Sequence, residues 1–159
     1  MIAVVQRVTQ ASVVVGDRVV GQIGGGLLAL VAVHADDTDA DVTWTAGKVA
    51  GLRIFRNDEK HFDADVKQAG GAVLLVSNFT VAARTRQGRR PSFDLAAPPE
   101  NGRELFDALV AAVRAQGVTV ETGEFGADMA VSIVNDGPVT VILDSTEARR
   151  AKGAGGRES

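Results

Sequence analysis

The stretch Gly24-Gly25-Gly26-Leu27-Leu28-Ala29-Leu30-Val31-Ala32-Val33 decides the fold class. Three glycines break the chain, and an apolar run follows with no alternation of polar residues. Such a run is too short for a helix that spans a bilayer and matches a strand covered on both faces. Directly after it, Asp36-Asp37-Thr38-Asp39 supplies an acidic helix start, with Thr38 or Asp39 as N-cap. Val42, Ala46, Val49 and Ala50 then recur on one helical face as far as Leu52. A central strand joined to an amphipathic helix points to a sheet with helices laid against it.

The neighbouring segments extend this reading in both directions. Ile2–Val8 is a strand, and Ser12–Val15 with Arg18–Ile23 reads as a hairpin around Gly16-Asp17. Arg53-Ile54-Phe55 reads as a short strand before a polar loop, residues 56–60. Gly70-Gly71 precedes a buried strand, Ala72–Val76, which delivers Ser77-Asn78-Phe79-Thr80 at its end. Residues 84–99 form a loop with three prolines. A second helix runs from about Glu100 to Gln116, with Leu105, Leu109, Ala112 and Val113 inward and Gly117 as terminator. Val118–Glu121, Ala130–Val134 and Val139–Leu143 are the last strands, and Asn135–Thr140 reads locally as a hairpin turn between the final two. The expectation is a β-rich α+β domain with antiparallel or mixed sheets and two covering helices. One domain is expected over residues 1–145, with residues 146–159 as a polar, Gly-containing disordered tail.

Composition narrows the chemistry. The chain has 159 residues, 45% of them apolar and 23% charged, with six Phe, one Trp and no Tyr. That is enough for one hydrophobic core, filled mostly by aliphatic side chains. The absence of cysteine removes disulfides, thiolate nucleophiles and cysteine-ligated zinc. No signal-peptide pattern and no membrane-length apolar run occur, so a cytoplasmic protein without a membrane partner is expected. The net charge of −3 excludes a general polycation; one local basic patch stands at Arg84-Thr85-Arg86-Gln87-Gly88-Arg89-Arg90. It reads either as a solvated loop or, because guanidinium matches phosphate oxygens, as a phosphate contact.

No ordinary catalytic set is present. The two histidines, His34 and His61, belong to no recognisable motif, and no G-x-S-x-G elbow or paired metal-spaced histidines occur. No metal and no cofactor is expected. The acidic residues 36–41 crowd a helix N-terminus, where they complement the dipole. What remains is Ser77–Thr80 beside one strand and Asn135–Thr140 beside another. Each also has a bland reading, as a strand end and as a turn.

Their company changes the weighting. Gln6-Arg7-Val8, Ser77-Asn78-Phe79-Thr80, Gly88-Arg89-Arg90-Pro91-Ser92-Phe93, Ala97-Pro98-Pro99, Phe125-Gly126-Ala127-Asp128-Met129 and Asn135-Asp136-Gly137-Pro138-Val139-Thr140 occur in that order. The set closely resembles the D-aminoacyl-tRNA deacylase family over residues 1–145. The resemblance implies a homodimeric hydrolase acting on the aminoacylated 3′ end of tRNA, cleaving D-aminoacyl esters and glycine mischarged on tRNA for alanine. It implies that Ser77, Asn78, Phe79 and Thr80 form the catalytic motif. Gly137 and Pro138 would form a Gly-cis-Pro chirality filter that enters the other subunit's pocket, with Arg7 and Asn135 supporting it. Phe125 and Met129 would hold the terminal adenosine. The family has Gln where this chain has Asn78, one methylene shorter.

These expectations agree with elementary chemistry. Glycine lets a backbone wall approach the substrate Cα, rejecting an L side chain while accepting D substrates and glycine. The backbone N–H of Phe79 is the expected oxyanion donor, and a ribose 2′-hydroxyl beside the ester is the expected aid to water. Thr80 as nucleophile is the alternative, although no base for it is assignable. Two further readings stay open: a non-catalytic tRNA-binding dimer, and a small-molecule esterase using Thr80.

Overall fold

The computed structural model describes residues 1–154. Six strands and three helices follow one another as β1 (Ile2–Val15), β2 (Arg18–Ile23), β3 (Gly26–Ala32), α1 (Asp39–Gly51), β4 (Ala72–Ser77), α2 (Pro99–Arg114), β5 (Thr119–Thr122), β6 (Ala130–Asp144) and α3 (Ser145–Ala154). A short 3₁₀ turn, Phe79–Ala82, follows β4.

β1 organises the sheet. One of its edges pairs antiparallel with β3 over Ile2–Val8 and with β2 over Ala11–Val15; the other runs antiparallel to β6 over nearly its whole length. The two expected strands Ile2–Val8 and Ser12–Val15 are therefore one. Exposed Thr9 and Gln10 resemble a break in the sequence, but they lie at a register shift against β6. Beyond β3 the sheet turns parallel, β3 with β4 and β4 with β5, so it is mixed as expected. β2 curls back against β5 so closely that a Cβ on Gly21 would lie 2.3 Å from the Thr122 carbonyl oxygen. The sheet thus nearly closes into a barrel, and only glycine fits at that seam.

Two cores explain why β3 carries no polar alternation. Leu27, Ala29 and Val31 pack beneath α1 and α2, whereas Leu28 points to the barrel interior with Val8, Val13, Ile23, Leu74 and Val76. The first helix starts at Thr38, whose backbone N–H donates to Asp41 Oδ2 at 2.9 Å. In α2 the buried face is Phe106, Leu109, Val110 and Val113; Leu105 and Ala112 sit at its margin rather than inside it.

Three local expectations are corrected. Residues 53–55 form no strand, only a single bridge between Phe55 and Ala64. Asn135–Thr140 is not a hairpin turn, because β6 continues through it along β1. Residues Ser145–Ala154 are helical rather than tail-like, with the Ser145 hydroxyl donating to Asp41 Oδ1 at 2.7 Å; residues 155–159 of the expected tail lie outside the described residues.

Candidate active site

Parallel strands place a cavity at their carboxyl ends, where β4 and β5 both stop. It measures about 830 Å³ and is lined by Ser77, Asn78, Phe79, Thr80, Phe93 and residues 125–129. Six of the residues singled out in the sequence meet here: Ser77, Asn78, Phe79, Thr80, Phe125 and Met129. Phe93 and Asp128 also line it. Both stood inside the quoted motifs, but only the fold shows that they share a wall.

The geometry at Ser77–Thr80 follows from how β4 ends. Ser77 pairs with Val31, and the Asn78 N–H donates to the Val31 carbonyl at 2.8 Å as the last rung of the ladder. The chain then tightens into the 3₁₀ turn. Asn78 Oδ1 caps that turn, accepting from the Thr80 N–H at 3.2 Å and from the Thr80 hydroxyl. The short Asn side chain suits this local ring, which is the hydrogen-bonding habit of Asn at turns. The Phe79 N–H has no hydrogen-bond acceptor among the described residues. It is a free donor at the first position of a helical turn. The Phe79 ring is 57% exposed and packs edge-on against Phe93, with centroids 5.1 Å apart.

Phe125 and Met129 are held from behind. Phe125 tilts against Phe106 at 6.2 Å, and the Arg103 guanidinium lies 4.7 Å from the Phe125 ring centroid. Met129 Sδ occupies the space that a Cβ on Gly123 would need. Asp128 is the one ionisable side chain of the lining.

Arg7, Asn135, Gly137 and Pro138 are not in this cavity. They build a second feature on β6. Val8 pairs with Asn135 and Gln6 with Thr140, so Arg7 alone stands opposite residues 136–139. β6 bulges outward at that point, and buried Arg7 fills the gap. Its Nε donates to the Asp136 carbonyl at 3.0 Å, and another guanidinium nitrogen donates to the Ile54 carbonyl at 2.6 Å. The Asp136 carboxylate lies 3.2 Å from the same Nε. Asn135 closes the bulge from its own side: its amide donates to the Val139 carbonyl at 3.1 Å and accepts from the Val139 N–H at 2.9 Å. At the crest, Gly137 and Pro138 are exposed, their peptide bond is cis, and Gly137 has φ +147°.

The two histidines stay outside the cavity lining. His34 lies with Asp36 and Asp37, whose potential ligand atoms fall within 4.8 Å of one another. Asp37 is already engaged by the Met1 ammonium and by the His34 backbone N–H at 2.7 Å. Burial and then the Met1 ammonium lower the His34 pKa, with the surrounding carboxylates opposing them.

An α+β fold with a mixed, nearly closed sheet and a cavity at the ends of its parallel strands defines the structural class of this chain. Within that class the chain belongs to the D-Tyr-tRNA(Tyr) deacylase family, whose sequence profile matches residues 4–144. It is 54% identical over 144 residues to a D-aminoacyl-tRNA deacylase of Pelobacter propionicus, covering 91% of this chain and 99% of that one. It is 52% identical over 157 residues to a D-aminoacyl-tRNA deacylase of Chloroflexus aurantiacus, covering 99% and 98%. Among solved structures, a c-Myc DNA unwinding element binding protein superposes with a TM-score of 0.85 at 36% identity, over 91% of this chain and 98% of that one. A probable eukaryotic D-amino acid tRNA deacylase shares the fold, with a TM-score of 0.77 at 20% identity over 90% and 98%. The chain is thus a hydrolase of the deacylase type.

Proposed function

We propose that the protein hydrolyses the ester between a D-amino acid, or glycine mischarged on tRNA for alanine, and the 3′-terminal ribose of tRNA, acting as a homodimer. The observation that carries this reading is the Phe79 N–H, unpartnered among the described residues, on a residue that lines the cavity. It is an oxyanion donor in a site that holds no histidine or lysine to serve as a base. Water adds to the ester carbonyl, the oxyanion is held by Phe79, and the C–O bond to ribose breaks as that oxygen takes a proton. The ribose 2′-hydroxyl beside the ester assists the water. Thr80 is the poorer nucleophile, because its hydroxyl donates to an amide oxygen that is no base at neutral pH. Phe125 and Met129 flank the terminal adenosine.

The dimer reading rests on β6. Of its 15 residues only Leu143 is buried, although Val131, Ile133, Val134, Val139, Val141 and Ile142 are all apolar. Its one strand partner is β1, so its outer edge is unpaired among the described residues. A long apolar edge strand calls for a cover, and a second copy supplies one. Such a copy brings the Gly137-Pro138 crest to the neighbouring cavity, where a glycine backbone excludes an L side chain and tolerates D substrates and glycine.

The decisive measurement is deacylation of matched D- and L-aminoacyl-tRNA. Release of the D-amino acid with survival of the L-ester is expected; a D-ester that survives stoichiometric enzyme refutes the activity. A tRNA ending in 2′-deoxyadenosine should be cleaved far more slowly, and normal cleavage would eliminate the 2′-hydroxyl.

A further inference from the structure

We infer that the loop between Arg84 and Ser92 is a second subsite, which grips the phosphodiester backbone of the single-stranded RNA leading into the cavity. The inference rests on the deacylase reading for its ligand but on separate residues for its geometry.

The loop is a built feature. Arg84 and Ser92 close it with paired backbone hydrogen bonds of 2.8 and 2.9 Å. Asp94 braces the closure, accepting from the Ser92 hydroxyl at 2.6 Å and lying 3.3 Å from the Arg84 guanidinium. The Ser92 hydrogen bond leads in holding the Asp94 carboxyl below the usual carboxylate range. Arg84 is therefore consumed in the base of the loop. Arg86, Arg89 and Arg90 are exposed and form no ion pair among the described residues.

Charge and position point to RNA backbone. The chain as a whole carries −3, yet no Asp or Glu occurs from Val81 through Phe93. Three unpaired guanidiniums within five residues leave a local field that the rest of the protein does not neutralise. Repeated fixed cations match a repeated phosphate better than they match one free anion. The loop also adjoins the cavity at both of its ends. It leaves the 3₁₀ turn that carries Phe79 and Thr80, and returns through Phe93, which lines the cavity. Arg84, Arg86, Gln87, Ser92 and Asp94 line a hollow of about 630 Å³ in the loop itself, and Arg89 and Arg90 stand on the loop outside that lining.

The test compares two substrates across salt concentration: full-length D-aminoacyl-tRNA, and D-aminoacyl-adenosine, which has no phosphate. Three backbone contacts to a single strand give a slope of log KM against log salt of about 2, or roughly 20-fold between 50 and 200 mM. The variant R86Q/R89Q/R90Q should lose that much of the slope and raise KM for tRNA at low salt, with kcat retained. Its turnover of D-aminoacyl-adenosine should equal that of the unsubstituted protein. Unchanged KM and slope on tRNA would overturn the inference. So would loss of D-aminoacyl-adenosine turnover, which would make the loop a part of the pocket wall. Binding of a non-aminoacylated single-stranded oligoribonucleotide separates the two readings. If neither ester is cleaved, the deacylase reading fails, yet salt-dependent binding lost in the variant still supports the loop. Binding of an acidic protein but not of the oligoribonucleotide would also refute it.

Discussion

Arg7 Nε donates to the carbonyl oxygen of Asp136 at 3.0 Å, joining positions 129 residues apart in sequence. Because Arg7 alone faces residues 136–139, this contact holds the outward bulge of β6 that carries Gly137 and Pro138. A buried guanidinium satisfying two backbone carbonyls is a rigid strut, since its planar fork loses little freedom on bonding.

Replacing Arg7 by lysine leaves one point-like ammonium for two carbonyls that lie in different directions. The expected cost is about 1.5–3 kcal/mol, the range for a hydrogen bond to a charged group, read as a lower urea midpoint at unchanged slope. If the bulge positions the filter, deacylation of D-aminoacyl-tRNA should fall by about 10²-fold. A variant that loses stability but keeps full activity would separate Arg7 from the filter.

Gly137 tests the crest itself. At φ +147° an L side chain is strained, and a Cβ there would lie 2.7 Å from the Val139 backbone nitrogen. Gly137→Ala should destabilise by about 1–3 kcal/mol. The proposed filter further requires slower D-ester turnover, and Gly137→Val should be worse. Unchanged rate and chirality in Gly137→Val would remove Gly137 from the pocket.

Thr80→Ala keeps the backbone N–H that Asn78 caps and loses only the hydroxyl. Activity within about tenfold of the unsubstituted protein is expected, well short of the 10²–10³ typical for losing an oxyanion donor. Asn78→Ala should be the more damaging change, costing about 1 kcal/mol through the lost cap and loosening the turn that aims Phe79 N–H. Inactivity of Thr80→Ala with intact Asn78→Ala would restore Thr80 as nucleophile.

On β6, Ile142 is 67% and Val134 45% exposed in the single chain. Placing Asp at both should yield a monomer by sedimentation equilibrium, with activity lost although each chain keeps its own cavity residues. An active monomer would contradict the cross-subunit filter.

Asp41 links α1 to α3 and predicts acid sensitivity. Burial pushes its carboxyl pKa up, but hydrogen bonds from Ser145 and Thr38 and the Arg149 guanidinium outweigh that and hold it below the ordinary value. A folded-state pKa below the unfolded one gives stability that is full above about pH 3.9 and is lost as pH falls through the folded value. Asp41→Asn should lower stability at pH 7 by about 1–3 kcal/mol and flatten this acid limb. Parallel urea-midpoint profiles for both proteins below pH 4 would show that Asp41 is not the group involved.

Much of the architecture was legible because its signals are local. Leu27–Val33, Ala72–Val76 and the two helical faces carry their own periodicity. The legibility failed where a local signal had two solutions. Asn135-Asp136-Gly137-Pro138 has the composition of a hairpin turn, and Thr9-Gln10 that of a strand break. In both places the pairing of β1 with β6 resumes on either side of a register shift and overrides the local preference. The segment after Asp144 is polar enough to look unstructured, yet Ser145 and Arg149 anchor its helix to Asp41.

The sequence alone thus determined the buried strands Leu27–Val33 and Ala72–Val76, the first two helices, the residues of the Ser77–Thr80 motif and the resemblance to a deacylase family. These depend on side-chain periodicity and residue identity over a few positions. Only the tertiary structure decided which motifs meet. It gathers Ser77–Thr80, Phe93, Phe125 and Met129 around one cavity because β4 and β5 end side by side. It keeps Gly137 and Pro138 out of that cavity because Arg7, far away in sequence, holds their segment as an outward bulge on an edge strand. Such contacts depend on strand order and register, which no short window of sequence encodes.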